Sequence, residues 1–166
     1  MECTHPRAEH AWLQKLCGSW NATSQMWSQP EAEPTTWESH ESTGPVGDLW
    51  IVTEGSADFG GESPYASRMT LGYDERRGHF VGSWIDSMQG HMWSYVGHLD
   101  VADNTLTLEA EGPSMHDPSV SARYRDQLEL VDGDTKRMTS SILDESGEWK
   151  TFMRVEARRA EAPSRR

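Results

Sequence analysis

The segment Trp84-Ile85-Asp86-Ser87-Met88-Gln89-Gly90-His91-Met92-Trp93 holds the densest group of chemically capable side chains in this sequence. We expect it to form a hairpin in which Asp86 and His91 flank the tip. A carboxylate beside an imidazole can orient the ring as a general base, and two indoles can hold a flat apolar molecule. The plainer alternative is that Asp86 caps the turn and His91 is a half-exposed residue at the rim.

Asp126 is a second candidate for acid–base chemistry. One face of the strand predicted over 121–131 carries mainly apolar side chains, namely Ala122, Tyr124, Asp126, Leu128 and Leu130. That face should point inward, which places a carboxylate among apolar neighbours. Such a group needs a hydrogen-bond partner or a shifted pKa. If the protein is an enzyme, His91, Asp86 and Asp126 are therefore the expected catalytic residues.

Strand alternation also predicts which side chains line an interior. The expected lining residues are Trp50, Glu54, Met69, Trp84, Met88, Trp93, Tyr95, Tyr124, Met138 and Met153. The strand over 48–57 is ambiguous, because Trp50, Val52 and Glu54 compete with Leu49, Ile51 and Thr53 for the inner face. Eight Trp and eight Met in one chain indicate an aromatic-rich core or a lined pocket.

Other site chemistries find little support. The seven His and two Cys residues form no HxH, HExxH or CxxC motif, so no metal site is predicted. A mononuclear site from His116, His91 and Asp86 would require tertiary convergence. Cys17 lacks a positioned partner, and neither a serine elbow nor a glycine-rich phosphate loop occurs. We expect no cofactor.

The formal net charge of −12 and the pI near 4.9 disfavour nucleic acid and anionic membrane surfaces as partners. A small hydrophobic molecule is the expected partner, and a homodimer is compatible with the sequence. Two cysteines, Cys3 and Cys17, suggest reduced thiols in a cytoplasmic protein. The N-terminal residues do not resemble a signal peptide, and no segment is long and apolar enough to span a bilayer.

Short helices and strands must position these side chains. We predict one domain over 1–159 and a disordered tail over 160–166. An amphipathic helix is predicted over 6–17, with Ala8, Trp12 and Leu16 on one face, ended by Gly18. Turn signals then separate ten predicted strands, at 19–28, 36–43, 48–57, 65–73, 78–86, 91–100, 104–111, 121–131, 135–143 and 148–158.

Short connectors pair sequence neighbours antiparallel, which predicts an all-β fold, a ten-stranded up-and-down barrel with a short N-terminal helix. The segment 112–120 is a longer loop that could cover an open barrel end. An immunoglobulin-like sandwich is the alternative, but it would need longer crossovers than this sequence offers.

Gly18-Ser19-Trp20 resembles the G-x-W signature that opens lipocalin and other calycin barrels. The resemblance implies a calycin-like barrel whose floor is plugged by Trp20, with Arg154 or Arg158 stacking on that indole. Nitrobindin-like barrels, similar in size, hold haem through a His near the final strands. Residues 135–158 contain no His, so haem is disfavoured unless His91 or His116 served as axial ligand.

Nearly the whole chain also resembles an uncharacterised bacterial family, catalogued as a domain of unknown function. The resembling pieces are His10-Ala11-Trp12-Leu13 with Leu16, Gly18 and Trp20; Met69-Thr70-Leu71-Gly72-Tyr73-Asp74; 78–84; Ser87-Met88 with His91 and Trp93; Glu111-Gly112-Pro113; and Ala122-Arg123-Tyr124-Arg125. This family implies a fold and no activity.

Three functions are compatible with these observations. The first is binding of a small hydrophobic or aromatic ligand in the barrel cavity. The second is an enzyme acting on a hydrophobic metabolite by general acid–base chemistry, as an isomerase, cyclase, lyase or hydrolase. The third is a purely structural or partner-binding barrel with a packed interior and an exposed apolar patch.

Overall fold

A computed structural model describes residues 4–161 and shows a β-protein preceded by one short helix. Cys3 and residues 162–166 of the predicted tail lie outside the described residues. The helix α1 spans Ala8–Gln14. The strands are β1 Gly18–Met26, β2 Thr35–Val46, β3 Trp50–Ala57, β4 Tyr65–Asp74, β5 His79–Asp86, β6 Trp93–Asp100, β7 Thr105–Pro113, β8 Ser121–Leu130, β9 Thr135–Leu143 and β10 Trp149–Arg159.

The ten strands form one closed antiparallel barrel. Each strand pairs with its sequence neighbour, and β1 pairs with both β2 and β10, so the sheet has no free edge. The predicted up-and-down barrel is therefore confirmed, and the sandwich alternative is wrong. Closure places alternate residues of every strand in the interior, where they can build a site.

The two ends of the barrel differ. At the end covered by α1, which we call the closed end, the strands are joined by tight turns at 47–49, 75–78, 101–104 and 131–134. At the opposite, open end the connections are longer and span 27–34, 58–64, 87–92, 114–120 and 144–148. The predicted loop over 112–120 does lie at the open end, although its first two residues belong to β7. Access to the interior is therefore expected from the open end.

The helix closes its end of the barrel with apolar side chains. Trp12, Leu13 and Leu16 are almost fully buried against the closed-end halves of the strands. The Trp12 indole donates a 2.7 Å hydrogen bond to Oδ1 of Asn104, which lies in a closed-end turn. The helix is shorter than the predicted 6–17, because the chain must turn before β1 begins at Gly18. Gly18 has a φ of 133°, which glycine adopts more readily than other residues.

Trp20 forms the floor of the interior, as expected. Its side chain is fully buried, and its indole N–H donates to the Leu16 carbonyl at 2.9 Å. The stacking cation is Arg159, whose guanidinium lies 4.2 Å from the ring centroid and donates to the carbonyls of Cys17 and Lys15. This contact ties the end of β10 to the segment that leads from α1 into β1.

The expectation that Arg154 or Arg158 would stack on Trp20 is wrong. Arg154 lies over Trp27 instead, and Arg158 is paired with Glu156. The physical reason is strand phase. The buried residues of β10 are Val155 and Ala157, and Arg159 is the cation that shares their phase.

Most strands begin or end within a few residues of their predicted bounds, and the differences in β2 and β6 are the informative ones. The connector between the strands predicted over 36–43 and 48–57 is shorter than expected, because Gly44-Pro45-Val46 continues β2 and the turn begins only at Gly47, which has a φ of 60°. At the open end, β6 begins at Trp93, which leaves His91 in the preceding loop.

Candidate functional site

The barrel interior receives most of the side chains predicted to line it. Ladder register and burial place Met69, Trp84, Trp93, Tyr95, Tyr124, Met138 and Met153 on inner faces. Within this set, Met69 and Tyr95 are buried, whereas Trp84, Trp93 and Met138 keep part of their surface accessible. That residual accessibility indicates incomplete filling of the open-end half of the barrel.

Three predicted lining residues do not face the interior. Trp50 and Glu54 lie on the outer face of β3, because the buried residues of that strand are Ile51 and Thr53. Glu54 forms an exposed ion pair with Arg68 of β4. Met88 lies in the 87–92 loop with 75% of its surface exposed. The phase assignment for β3 was ambiguous because both faces carry large apolar side chains.

A cavity lies in the interior between the floor and the open end. Its volume, counted as the space that the centre of a water molecule can occupy, is about 30 Å³. That is room for about two waters. Its lining is Glu41, Thr53, Met69, Trp84, Leu128, Lys136, Met138, Val155 and Ala157. The wall is thus mainly apolar, with a polar group of Glu41, Lys136 and Thr53.

The charged part of this lining is an ion pair that crosses the barrel. Lys136 of β9 lies 2.5 Å from a carboxylate oxygen of Glu41 on β2, and their side chains are 8% and 21% exposed. The two strands are not neighbours in the sheet, so only closure of the barrel brings these side chains together. The ammonium also lies 4.8 Å from the Trp20 ring centroid, which favours its position near the floor.

Asp126 sits in a second polar group nearer the open end. Its carboxylate accepts 2.6 Å hydrogen bonds from the hydroxyls of Tyr95 on β6 and Ser140 on β9. Burial raises the pKa of Asp126, and the two hydroxyl donors oppose this rise only in part. Burial, together with the Asp126 carboxylate, also raises the pKa of Tyr95. The hydrogen-bond partners that the buried Asp126 carboxylate was expected to need are therefore two hydroxyls and not a cation.

Aromatic rings line the open end. His91, Trp93, Tyr124 and Phe152 form a continuous chain of edge-to-face contacts, with centroids 4.7, 4.9 and 6.0 Å apart in that order. Phe152 joins it at a register shift in β10. A second group, Trp37, Phe59 and Tyr65, lies at the ends of β2 and β4. The entrance to the interior is consequently aromatic on two sides.

The geometry of Asp86 and His91 follows the plainer alternative. Asp86 accepts hydrogen bonds from the Trp84 indole, the Met88 backbone and the Gln89 amide, so it caps its turn. His91 packs edge-to-face on Trp93, and its Nε2 is buried with no hydrogen-bond partner within residues 4–161. The structure therefore brings Asp86 and His91 to the same hairpin without forming a dyad.

Lys136, Glu41 and Ser140 are interior residues that were not predicted, and Thr53 belonged to one of the two alternatives for the inner face of β3. The signal was present for two of them, because Lys136 and Ser140 share the strand phase of the predicted lining residue Met138. Glu41 could not be distinguished in this way, since β2 alternates among polar residues on both faces.

Within residues 4–161, no group of three or more His, Cys, Asp or Glu side chains could hold a metal ion. His116 and His91 do not form such a group there. In the same part of the chain, no helix is both long and apolar enough to cross a membrane.

A closed ten-stranded antiparallel barrel with a helix over one end and a stacked Trp–Arg floor defines a calycin-like barrel. Within that class, the chain belongs to the family described as "Protein of unknown function (DUF1579)", whose model matches residues 5–159. The family resemblance of the sequence is thereby confirmed. No curated protein matches the sequence.

Solved structures share the same architecture. Rv2717c from M. tuberculosis superposes with a TM-score of 0.62 at 16% identity, covering 93% of this chain and 99% of that one. The S-type phycobiliprotein lyase CPES from Guillardia theta superposes with a TM-score of 0.57 at 14% identity, covering 95% and 99% of the two chains. At these identities the likeness establishes the fold.

Proposed function

We propose that this protein binds a small, mainly apolar molecule inside the barrel and admits it through the open end. The observation that carries the proposal is the interior cavity, whose apolar wall of Met69, Trp84, Leu128 and Met138 meets a few fixed polar groups. Concave, mainly apolar sites with a few converging polar groups are typical of small-molecule pockets. A phycobiliprotein lyase among the similar folds is compatible with this use of the barrel.

The open end supports the proposed route of entry. Its loops expose large apolar side chains, including Phe59, Met88, Met92 and Met115, each with at least 40% of its surface accessible. The aromatic chain from His91 to Phe152 continues inward from this rim. An apolar molecule would therefore meet compatible surface from the rim to the cavity.

The cavity must expand to hold an organic molecule, because its present volume suits only water. Met69 and Met138 make this possible, since unbranched thioether side chains change rotamer readily and adapt to a ligand. Trp84 is the large side chain at the same wall and is partly accessible. We propose that ligand entry displaces the two methionines while the closed-end core keeps its packing.

The proposal is tested with N-phenylnaphthylamine, a neutral hydrophobic fluorophore. Its fluorescence should rise on binding while tryptophan emission falls, because Trp84 lines the cavity and Trp93 belongs to the aromatic chain at the entrance. Met138→Trp fills the cavity and should weaken binding by at least about tenfold, which corresponds to about 1.4 kcal/mol.

The matched control is Val96→Trp, which adds an indole to an exposed position on the outer face of β6. Its affinity for the fluorophore should equal that of the wild type. Circular dichroism shows whether both variants are folded. Equal affinity in Met138→Trp and Val96→Trp would mean that the probe does not enter the interior.

Asp126 supports a second candidate function, which is general acid–base catalysis on a hydrophobic metabolite in the barrel interior. Burial raises the pKa of Asp126, and a carboxyl group with a raised pKa holds its proton more firmly and can act as a general acid. Tyr95 and Ser140 would orient it. Asp86 and His91 form no dyad that could serve this second function. We propose only that His91 contacts a ligand at the entrance.

Native mass spectrometry of the purified protein discriminates these functions by identifying any metabolite that copurifies. For an enzyme, Asp126→Asn should abolish turnover of that metabolite and leave N-phenylnaphthylamine affinity within about twofold. Unchanged product formation in Asp126→Asn would remove Asp126 from the mechanism.

A further inference from the structure

We propose that the ligand carries an uncharged group that both accepts and donates hydrogen bonds, such as a carboxamide or lactam, and that Lys136 and Glu41 bind it at the deep end of the cavity. This inference rests on the proposed function and specifies the ligand of the same site. The ion pair is the charged part of an otherwise mainly apolar cavity lining, so it decides which polar group a ligand can bury there.

Both members of the pair have unused hydrogen-bonding capacity. A lysine ammonium has three N–H donors and a carboxylate has two acceptor oxygens. In the described part of the chain, Lys136 donates to one oxygen of Glu41, and one further side of the ammonium faces the Trp20 ring. The second oxygen of Glu41 has no side-chain donor among residues 4–161. A donor and an acceptor are thus both available at the cavity.

Thr53 is a weaker candidate for this role. Its hydroxyl is already hydrogen-bonded to the hydroxyl of Thr43 at 2.8 Å, and both side chains are buried. One hydroxyl of this pair donates to the other, so a single O–H is left over there, whereas the ion pair offers charged donors and a charged acceptor.

The charge balance selects a neutral group. Lys136 and Glu41 neutralise each other across a distance of 2.5 Å inside the barrel. An added carboxylate would leave a net negative charge in this interior, and an added amine would leave a net positive one, each with a desolvation penalty. A neutral amide adds no charge, accepts a hydrogen bond from Lys136 and donates one to Glu41.

The size of the cavity agrees with this group. Room for about two waters matches the oxygen and nitrogen of a carboxamide. The apolar body of the ligand would then lie toward Met69, Trp84 and Met138 and displace the methionines, as proposed above.

The test compares four single-ring probes that differ only in the substituent: benzamide, toluene, benzoate and benzylamine. Binding is followed by NMR of methionine methyl groups labelled with ¹³C. Met69 and Met138 report on the cavity, whereas the exposed Met88 and Met92 report on binding at the rim. Benzamide should shift the interior methyls with an affinity at least about tenfold above that of the other three probes.

The double variant Lys136→Met with Glu41→Leu removes both charges and keeps apolar bulk, so it avoids leaving one unpaired buried charge. Its affinity for benzamide should fall to that for toluene, while toluene binding persists. The matched control is Arg68→Met with Glu54→Leu, which removes an ion pair from the outer face of the barrel. That control should keep the preference for benzamide.

The outcomes separate the two proposals. Toluene binding as tightly as benzamide, or benzoate or benzylamine binding best, overturns the inference while cavity binding stands. A preference for benzamide that survives in the double variant overturns the role of Lys136 and Glu41. If neither the four probes nor N-phenylnaphthylamine shifts the methyls of Met69 and Met138, the proposed function itself fails.

Discussion

At the scale of single residues, Asp126 shows how the barrel changes the chemistry of a side chain. In water its carboxyl group would ionise near pH 3.8. In the interior, burial favours the protonated form, and the hydroxyls of Tyr95 and Ser140 partly stabilise the charged one. The folded protein therefore holds this proton more tightly than the unfolded chain does. The stabilisation that the protonated Asp126 gives the folded state is fully present below about pH 4, and it is lost as the pH rises through the pKa of Asp126 in the folded protein.

Asp126→Asn removes this dependence. The free energy of unfolding of the variant minus that of the wild type should become more positive as the pH rises from about 4 to about 7. Urea unfolding at a series of pH values measures the difference. Asp117→Asn is the control with the opposite sign, because hydrogen bonds from Ser119 lower the pKa of that exposed carboxylate, so its difference should become more negative as the pH rises from about 2 to about 5. A difference for Asp126→Asn that does not change with pH would contradict the burial argument.

At the scale of elements, Asn104 adds a specific polar contact to the apolar packing that holds α1 on the barrel. Asn104 connects the helix to the barrel, since its side chain accepts from the Trp12 indole at 2.7 Å and donates to the Leu130 carbonyl at 2.8 Å. Its φ of 52° lies in the left-handed region that asparagine and glycine tolerate better than other residues. Seating of α1 in turn keeps the closed end shut.

Substitutions at Asn104 should separate the contribution of its side-chain hydrogen bonds from that of its left-handed backbone conformation. Asn104→Gly keeps the backbone conformation and removes both side-chain hydrogen bonds, so it should lower the free energy of unfolding by about 1–3 kcal/mol. Asn104→Ala should cost about 1 kcal/mol more, because alanine is strained at this φ. Thermal and urea unfolding give the order of the two variants. Equal stability of the two would show that backbone strain contributes nothing.

At the scale of the whole molecule, the acidic balance has a consequence for stability. The formal net charge of −12 lies on a compact barrel, so the folded state carries more self-repulsion than the expanded chain. Surface pairs such as Arg123–Glu109 are exposed and contribute little in compensation. Repulsion among acidic groups should therefore dominate the salt dependence.

Monovalent salt should accordingly stabilise the fold. The urea midpoint should rise between about 0.02 M and about 0.2 M sodium chloride, over which the screening length falls severalfold. Choline chloride should have the same effect, because screening does not depend on the identity of the cation. A midpoint that falls with either salt would show that attractive pairs outweigh the net charge.

Much of this architecture could be predicted from the sequence. The ten strands and their antiparallel order followed from alternation and short turns, and the inward phase of Asp126 followed from its apolar neighbours along β8. Strand order and strand phase depend on neighbours in the chain, and local physics determines them. The expectation that Trp20 forms the floor came from the resemblance of Gly18-Ser19-Trp20 to the calycin signature.

Tertiary structure decided which residues meet across the interior. Arg159 and not Arg154 or Arg158 stacks on Trp20, Glu41 pairs with Lys136, and the hydroxyl partners of Asp126 come from β6 and β9. Alternation divides a strand into two faces, but it does not tell which residues on distant strands lie at the same height. That depends on the register of every ladder around the closed barrel, because each one sets the position of the next.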